Sequence, residues 1–243
     1  MAESELVAKT SSRQCCFQPV THCIFELDGL LIDSDRLYTQ TVQKILDPFG
    51  HIYGFDQKVR CMGKHMSEIA DMIIASYDLP YSRAQFQRLL RIHSRDQMHK
   101  VNLRPGVERL LRHLQATHVP MAIGSSSTRE FYELIARPHK ELFQCFHHAV
   151  FGSSDSEVKL SKPAPDIFLL AASRFEDKPR PERCLVFEHS LLGMQAGLAA
   201  GMQVVLIPDP LLSTQLSAPA TLRLRSMEAF RPQYFGLRPL EMK

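Results

Sequence analysis

The spacing of apolar positions changes twice along the chain, and those changes divide it. Residues 1–19 are polar and mixed, without a period, and read as a loose tail. The apolar run His22-Cys23-Ile24-Phe25 then ends in acidic residues and a glycine, the profile of a buried strand opening into a functional loop. From Leu37 the spacing is helical. Leu37, Val42, Ile45, Leu46 and Phe49 recur at helical intervals, and so do Ile69, Met72, Ile73 and Tyr77. Ser82 with Gln85 three positions on is a capping box for a third helix carrying Phe86, Leu89 and Leu90. Residues 35–103 are thus predicted to be helical, with no strand.

After Arg104-Pro105-Gly106 the pattern alternates. Val107, Leu110, Leu111 and Leu114 mark a helix leading to a strand over 120–124. Phe131, Leu134 and Ile135 mark another, leading to a strand over 149–151. A helix over 165–175 precedes a strand over 184–187, and a last helix closed by Gly201 precedes a strand over 204–207. Helices alternating with short β-rich runs predict an α/β protein with a doubly wound parallel sheet. The all-helical stretch interrupts that sheet after its first strand, so it reads as an insertion. The expected division is a core of residues 20–34 and 104–243 and a helical cap of residues 35–103.

Composition narrows the function classes. The 243 residues suffice for one domain plus a smaller insertion. The net charge of +3 is small and the basic residues are scattered, which argues against a nucleic-acid partner. No run approaches the ~20 apolar residues of a membrane span, and the N-terminus lacks an apolar signal core. The six cysteines form no C-x-x-C pair, and no paired histidines accompany them at zinc spacing, so a reducing, cytoplasmic setting is the default. Cys23, Cys145 and Cys184 are expected to pack as small hydrophobes. The adjacent Cys15 and Cys16 are alternatively a reactive or lipidated pair. His113, between Arg112 and Leu114, reads as part of a solvated helix face.

In open α/β sheets the ligand site lies beyond the carboxyl ends of the strands. Four polar groups fall in those places: Glu26-Leu27-Asp28-Gly29, Ser125-Ser126-Ser127, Lys162-Pro163 and Glu188-His189. The set suits a phosphate. Carboxylates two positions apart can face one point, and a serine hydroxyl with backbone N–H groups at a helix start can hold phosphate oxygens. A lysine adds positive charge, and acidic groups can hold Mg²⁺. Ser126 and Ser127 alternatively cap the following helix. Asp33 reads as a hinge residue, Lys64 and His65 as solvated or substrate-reaching residues, and Asp166 as a first-turn acid.

The order of these groups resembles the four motifs of the haloacid dehalogenase-like phosphatases. The words Gly29-Leu30-Leu31-Ile32-Asp33-Ser34, Lys162-Pro163-Ala164-Pro165-Asp166-Ile167-Phe168 and Cys184-Leu185-Val186-Phe187-Glu188 are similar to the pseudouridine-5′-phosphatase group within that family. The resemblance runs from about residue 20 to the end. It implies a Rossmann-like core, a cap closing over the site, Mg²⁺ dependence and a small phosphorylated sugar or nucleotide as substrate. By position, Asp28 matches the family's general acid/base, Ser125 its phosphate-binding hydroxyl and Lys162 its third-motif lysine. Ser126 is a further phosphate-binding candidate, and Glu26, Asp28 and Glu188 form the expected metal corner.

Two positions depart from that pattern. Glu26 stands where the family has its nucleophilic aspartate. Its carboxylate lies one C–C bond, ~1.5 Å, further out, and a misplacement of about 1 Å can cost ~10²-fold when attack must be in line. His189 stands where the family has the second member of an acidic pair. Mg²⁺ prefers oxygen, and an imidazole removes a negative charge. The expectation is a protein that binds a phosphorylated metabolite with weak or no turnover, its Mg²⁺ binding weakened or lost. The alternatives are an active esterase using Glu26 as nucleophile, and a non-catalytic structural or partner-binding protein.

Overall fold

In the computed structural model, residues 17–98 and 101–240 are described, the side chains of 95–98 excepted; Cys15 and Cys16 lie outside the described residues. Strands β1 (His22–Phe25), β2 (Met121–Ser125), β3 (His148–Phe151), β4 (Cys184–Glu188), β5 (Gln203–Leu206) and β6 (Leu222–Arg223) form one sheet in the order β3-β2-β1-β4-β5-β6. Every pairing is parallel. This is the doubly wound sheet that the alternation predicts. Parallel strands covered on both faces need apolar residues on both sides, which is why β1 reads as a continuous buried run.

Successive residues of each strand face opposite layers. Phe25, Phe187 and Val205 join the core on one side, with Leu110, Leu111 and Leu114 of helix α5 (Val107–Ala116). Ile24, Val186 and Val204 join the core on the other, with Phe168 of α8 (Asp166–Ser173) and Met194 of α9 (Leu191–Ala199). The Phe25 and Phe187 rings stack at 4.5 Å between centroids, locking β1 to β4.

Between β1 and α5 the chain forms helices α1 (Ser34–Leu46), α2 (Phe55–Cys61), α3 (Met66–Ser76) and α4 (Arg83–Met98). These have their own apolar cluster, in which Val42, Ile45, Leu46, Ile69, Ile73, Phe86 and Leu90 are buried. The capping box forms: Ser82 N donates to Gln85 Oε1 at 2.8 Å and Gln85 N to Ser82 Oγ at 3.3 Å. Polar contacts among the described residues tie this insert to the core. Lys58 Nζ meets Asp209 Oδ2 at 2.9 Å, Ser126 Oγ donates to Gly63 O at 3.2 Å, and Ser161 Oγ donates to Glu68 Oε1 at 3.1 Å.

Sequence and structure differ in detail. Strands β2 and β4 each run one residue beyond the predicted end, so Ser125 and Glu188 are themselves strand residues. Strand β6 has two residues and gives no periodic signal. His113 is fixed to the C-terminal segment, its Nε2 2.8 Å from Arg238 O. No helix among the described residues is long and apolar enough to cross a membrane.

Candidate active site

The chain order explains where the site lies. From β1 the sheet grows through β2 to β3 on one side, then restarts with β4 on the other, so the direction of winding reverses at β1. A reversal of this kind leaves a crevice beyond the carboxyl ends of the strands. Glu26 leaves β1 there, and Ser125 and Glu188 end β2 and β4. The insert lies over the same crevice, and a pocket of about 760 Å³, partly open to solvent, lies between them.

Five of the six expected residues meet in two groups. In the first, the Lys162 ammonium bridges Glu26 Oε2 and, at 2.6 Å, Glu188 Oε1. All three side chains are buried. Lys162 Nζ also lies 3.4 Å from Gly124 O and 4.8 Å from the centroid of the Phe168 ring. Burial alone would lower the lysine's pKa, but the Glu188 and Glu26 carboxylates reverse this and hold it above its ordinary value. Glu188 is likewise resisted by burial but driven below the usual carboxylate range by Lys162.

The remaining carboxylate oxygens are also engaged. Glu26 Oε1 accepts from Leu27 N at 2.7 Å. Glu188 Oε2 accepts from His189 N at 2.8 Å, Ser190 N at 3.0 Å and Ser190 Oγ at 3.1 Å, an anion held at the N-terminus of α9. Gly193 in the first turn of that helix makes the room, since a Cβ there would lie 1.7 Å from Glu188 Oε1.

In the second group, Asp28 Oδ2 accepts from Ser127 Oγ and lies 3.5 Å from Ser125 Oγ. Burial and then the nearby Glu26 carboxylate push Asp28 up to about 6, with the Ser127 and Ser34 hydroxyls and His189 working against them. Gly29, at φ +70°, turns the chain beside it, and a Cβ there would meet the His189 ring at 2.6 Å. The His189 ring therefore lies directly against the loop at Gly29. Its Nε2 is 4.0 Å from Asp35 Oδ1 and its Nδ1 makes no hydrogen bond.

The structure redistributes several minor assignments. The helix after β2, α6 (Arg129–Ile135), is capped by Thr128, which accepts from Phe131 N at 3.1 Å, so neither Ser126 nor Ser127 is the cap. Ser126 Oγ donates to Gly63 O, and Ser127 serves Asp28. Asp166 Oδ2 accepts from Lys159 N and Leu160 N, so it shapes the loop before Lys162 as well as starting a helix. Asp33 meets Arg104 Nη1 at 3.4 Å, and Lys64 meets Glu68 Oε2 at 3.2 Å. Ser34, Ser190 and Gly193 are supporting residues the motif reading passes over. Their only sequence signal is position, within a few residues of a motif carboxylate.

A magnesium ion asks for near-octahedral oxygen ligands at about 2.0–2.1 Å. With Glu26 and Glu188 turned onto Lys162, and imidazole at position 189, the residues as arranged do not offer that set. Among the described residues no three His, Cys, Asp or Glu side chains converge as metal ligands.

Comparison with known proteins agrees with this architecture. The sequence profile of the haloacid dehalogenase-like hydrolases matches residues 23–207. A probable pseudouridine-5′-phosphatase of Drosophila melanogaster is 47% identical over 218 residues, covering 90% of this chain and 94% of its own. (DL)-glycerol-3-phosphatase 2 of Arabidopsis thaliana is 36% identical, over 91% of this chain and 93% of its own. The crystal structure of a family hydrolase from Deinococcus radiodurans R1, with bound phosphate and sodium, superposes with a TM-score of 0.68 at 28% identity, over 86% of this chain and 92% of its own. From residue 23 to residue 207, and across both faces of its sheet, the chain belongs to the haloacid dehalogenase-like hydrolases.

Proposed function

We propose that this protein is a pseudouridine-5′-phosphatase-like member of the family that binds a small phosphorylated sugar or nucleotide with weak or no turnover. The observation carrying this reading is the Glu26–Lys162–Glu188 bridge, in which each carboxylate oxygen already has a partner. An in-line nucleophile needs a free oxygen facing phosphorus, and its attack is helped by a cation that spreads the developing charge. Glu26 offers its outer oxygen to Lys162 instead. Ser125 lines the cavity and its Oγ reaches Asp28 only at 3.5 Å, so this hydroxyl can turn to an anion. The helical insert acts as a cap, closing over the ester group.

One observation favours an active esterase. Asp28, pushed up to about 6, keeps a proton close to neutral pH and stands within reach of Ser125, where a leaving oxygen would be protonated. Assay separates the two readings. With Mg²⁺ present, the protein is expected to hydrolyse pseudouridine 5′-phosphate and an aryl phosphate at near-background rates. The double substitution Glu26→Asp with His189→Asp is expected to raise the rate by ~10² or more. Wild-type hydrolysis within ~10²-fold of an ordinary family enzyme overturns the proposal.

A further inference from the structure

A pair of histidines lies away from the crevice and takes no part in the chemistry above. His148 is the first residue of β3 and His147 directly precedes it. The crevice opens at the carboxyl ends of the parallel strands, so the pair occupies the opposite end of the sheet. His148 is half-buried and His147 is exposed. Their Nδ1 atoms face each other at 2.8 Å.

The surrounding contacts fix which nitrogen carries a proton. His148 Nε2 lies 2.9 Å from Ala171 O of α8, and a carbonyl oxygen only accepts. Nε2 is therefore the N–H donor, and His148 Nδ1 holds a lone pair aimed at the Nδ1–H of His147. Burial lowers the pKa of His148 and the Ala171 carbonyl opposes this only in part, so the ring is neutral at pH 7. The nearby Arg174 guanidinium is matched by Asp155 and Glu157, each at 2.6 Å. The Phe175 ring packs against both imidazoles, its centroid 4.8 Å from that of His148 and 5.5 Å from that of His147.

An imidazole whose far N–H rests on a backbone carbonyl is the usual form of a metal-ligating histidine, because that bond sets tautomer and orientation. The separation of the two nitrogens also fits one coordination angle. Nitrogens each ~2.0 Å from a shared ion stand ~2.8 Å apart at a right angle and ~3.3 Å apart at the tetrahedral angle. Right angles suit Ni²⁺ and Cu²⁺, whereas Zn²⁺ takes the wider one. The exposed His147 ring can turn until both lone pairs meet on one ion, its Nδ1 proton leaving as the ion binds. Among the described residues no third His, Cys, Asp or Glu side chain joins them, so water fills the remaining positions.

We propose that His147 and His148 form a two-histidine site for a divalent cation of right-angle geometry, of the nickel and copper class, at the end of the sheet remote from the crevice. The site is independent of the phosphorylated-metabolite reading. Nickel(II) is the probe, because it has the required geometry and does not oxidise the free cysteines as copper(II) does. Calorimetry and thermal unfolding are run with nickel(II), and in parallel with zinc(II), on the full chain as wild type, His147→Gln and His148→Gln.

Wild type is expected to bind one nickel ion that each variant loses or holds about tenfold or more less tightly. Saturating nickel is expected to raise the Tm of wild type by about 2 °C or more and to leave that of His147→Gln unchanged. Equal nickel affinity and equal Tm shift in wild type and His147→Gln overturn the site. Zinc bound more tightly than nickel at this pair overturns the right-angle assignment. Should His148→Gln fail to fold, His147→Gln decides alone, since its exposed ring can be replaced without breaking the bond to Ala171.

Discussion

Two buried groups, a floor at the strand ends and a roof on the insert, treat polar atoms in opposite ways. At the floor, Lys162, Glu26 and Glu188 are buried together and every carboxylate oxygen has a partner. At the roof, the hydroxyls of Tyr38, Thr41 and Tyr53 are buried with none. A buried charge cannot be left unmatched, because removing one partner costs several kcal/mol, whereas a neutral hydroxyl can wait at a smaller cost. The floor thus completes itself within the chain, and the roof leaves its pairing open.

The largest expected effect comes from breaking the floor. Lys162→Met leaves two buried carboxylates facing each other and is expected to destabilise the fold by about 3–5 kcal/mol in urea unfolding at pH 7. Adding Glu26→Gln and Glu188→Gln is expected to recover most of that loss. A loss under about 1 kcal/mol from Lys162→Met would mean that the triad is not shielded from water.

An intermediate effect is expected at Asp28. Its pKa rises from 3.8 in the unfolded chain to about 6 in the fold, so the folded protein binds the proton more tightly. Stability contributed by that proton is present at low pH, falls as pH rises from about 4 to about 6, and stays lost above. Asp28→Asn is expected to match wild type near pH 4 and exceed it by about 1 kcal/mol at pH 8, after allowing for solvent screening. Equal stability at both pH values would remove the case for a proton held there.

The smallest effect belongs to the roof. Tyr38→Phe and Thr41→Val remove hydroxyls that have no partner, so each is expected to change the stability of the ligand-free protein by no more than about 0.5 kcal/mol. A loss above about 1.5 kcal/mol from either would show that the hydroxyl has a structural bond, and the contrast between floor and roof would collapse.

The sheet was legible because its strands are buried on both faces: runs such as Ile24-Phe25 and Val186-Phe187 leave little choice of structure. The insert was legible from its helical period and from Ser82 and Gln85. The motif residues could be read because the end of a strand is a local property. Three-dimensional partners could not. Nothing in the order of residues says that Ser126 reaches Gly63 or that Ser127, and not the helix end, takes Asp28. The roof hydroxyls were invisible for a related reason. Tyr38 and Thr41 lie on α1 outside the apolar positions whose spacing marks the helix, and only the folded structure shows that their oxygens lack partners.

The floor also has a consequence for whatever settles on it. Two carboxylates and one ammonium sum to one negative charge, with Asp28 adjoining. An arriving phosphate dianion therefore meets repulsion that the lysine cannot cancel. Uptake must be balanced from outside the chain, by a proton gained at Asp28 or by a cation travelling with the anion, and acidity or accompanying ions become co-ligands of the pocket.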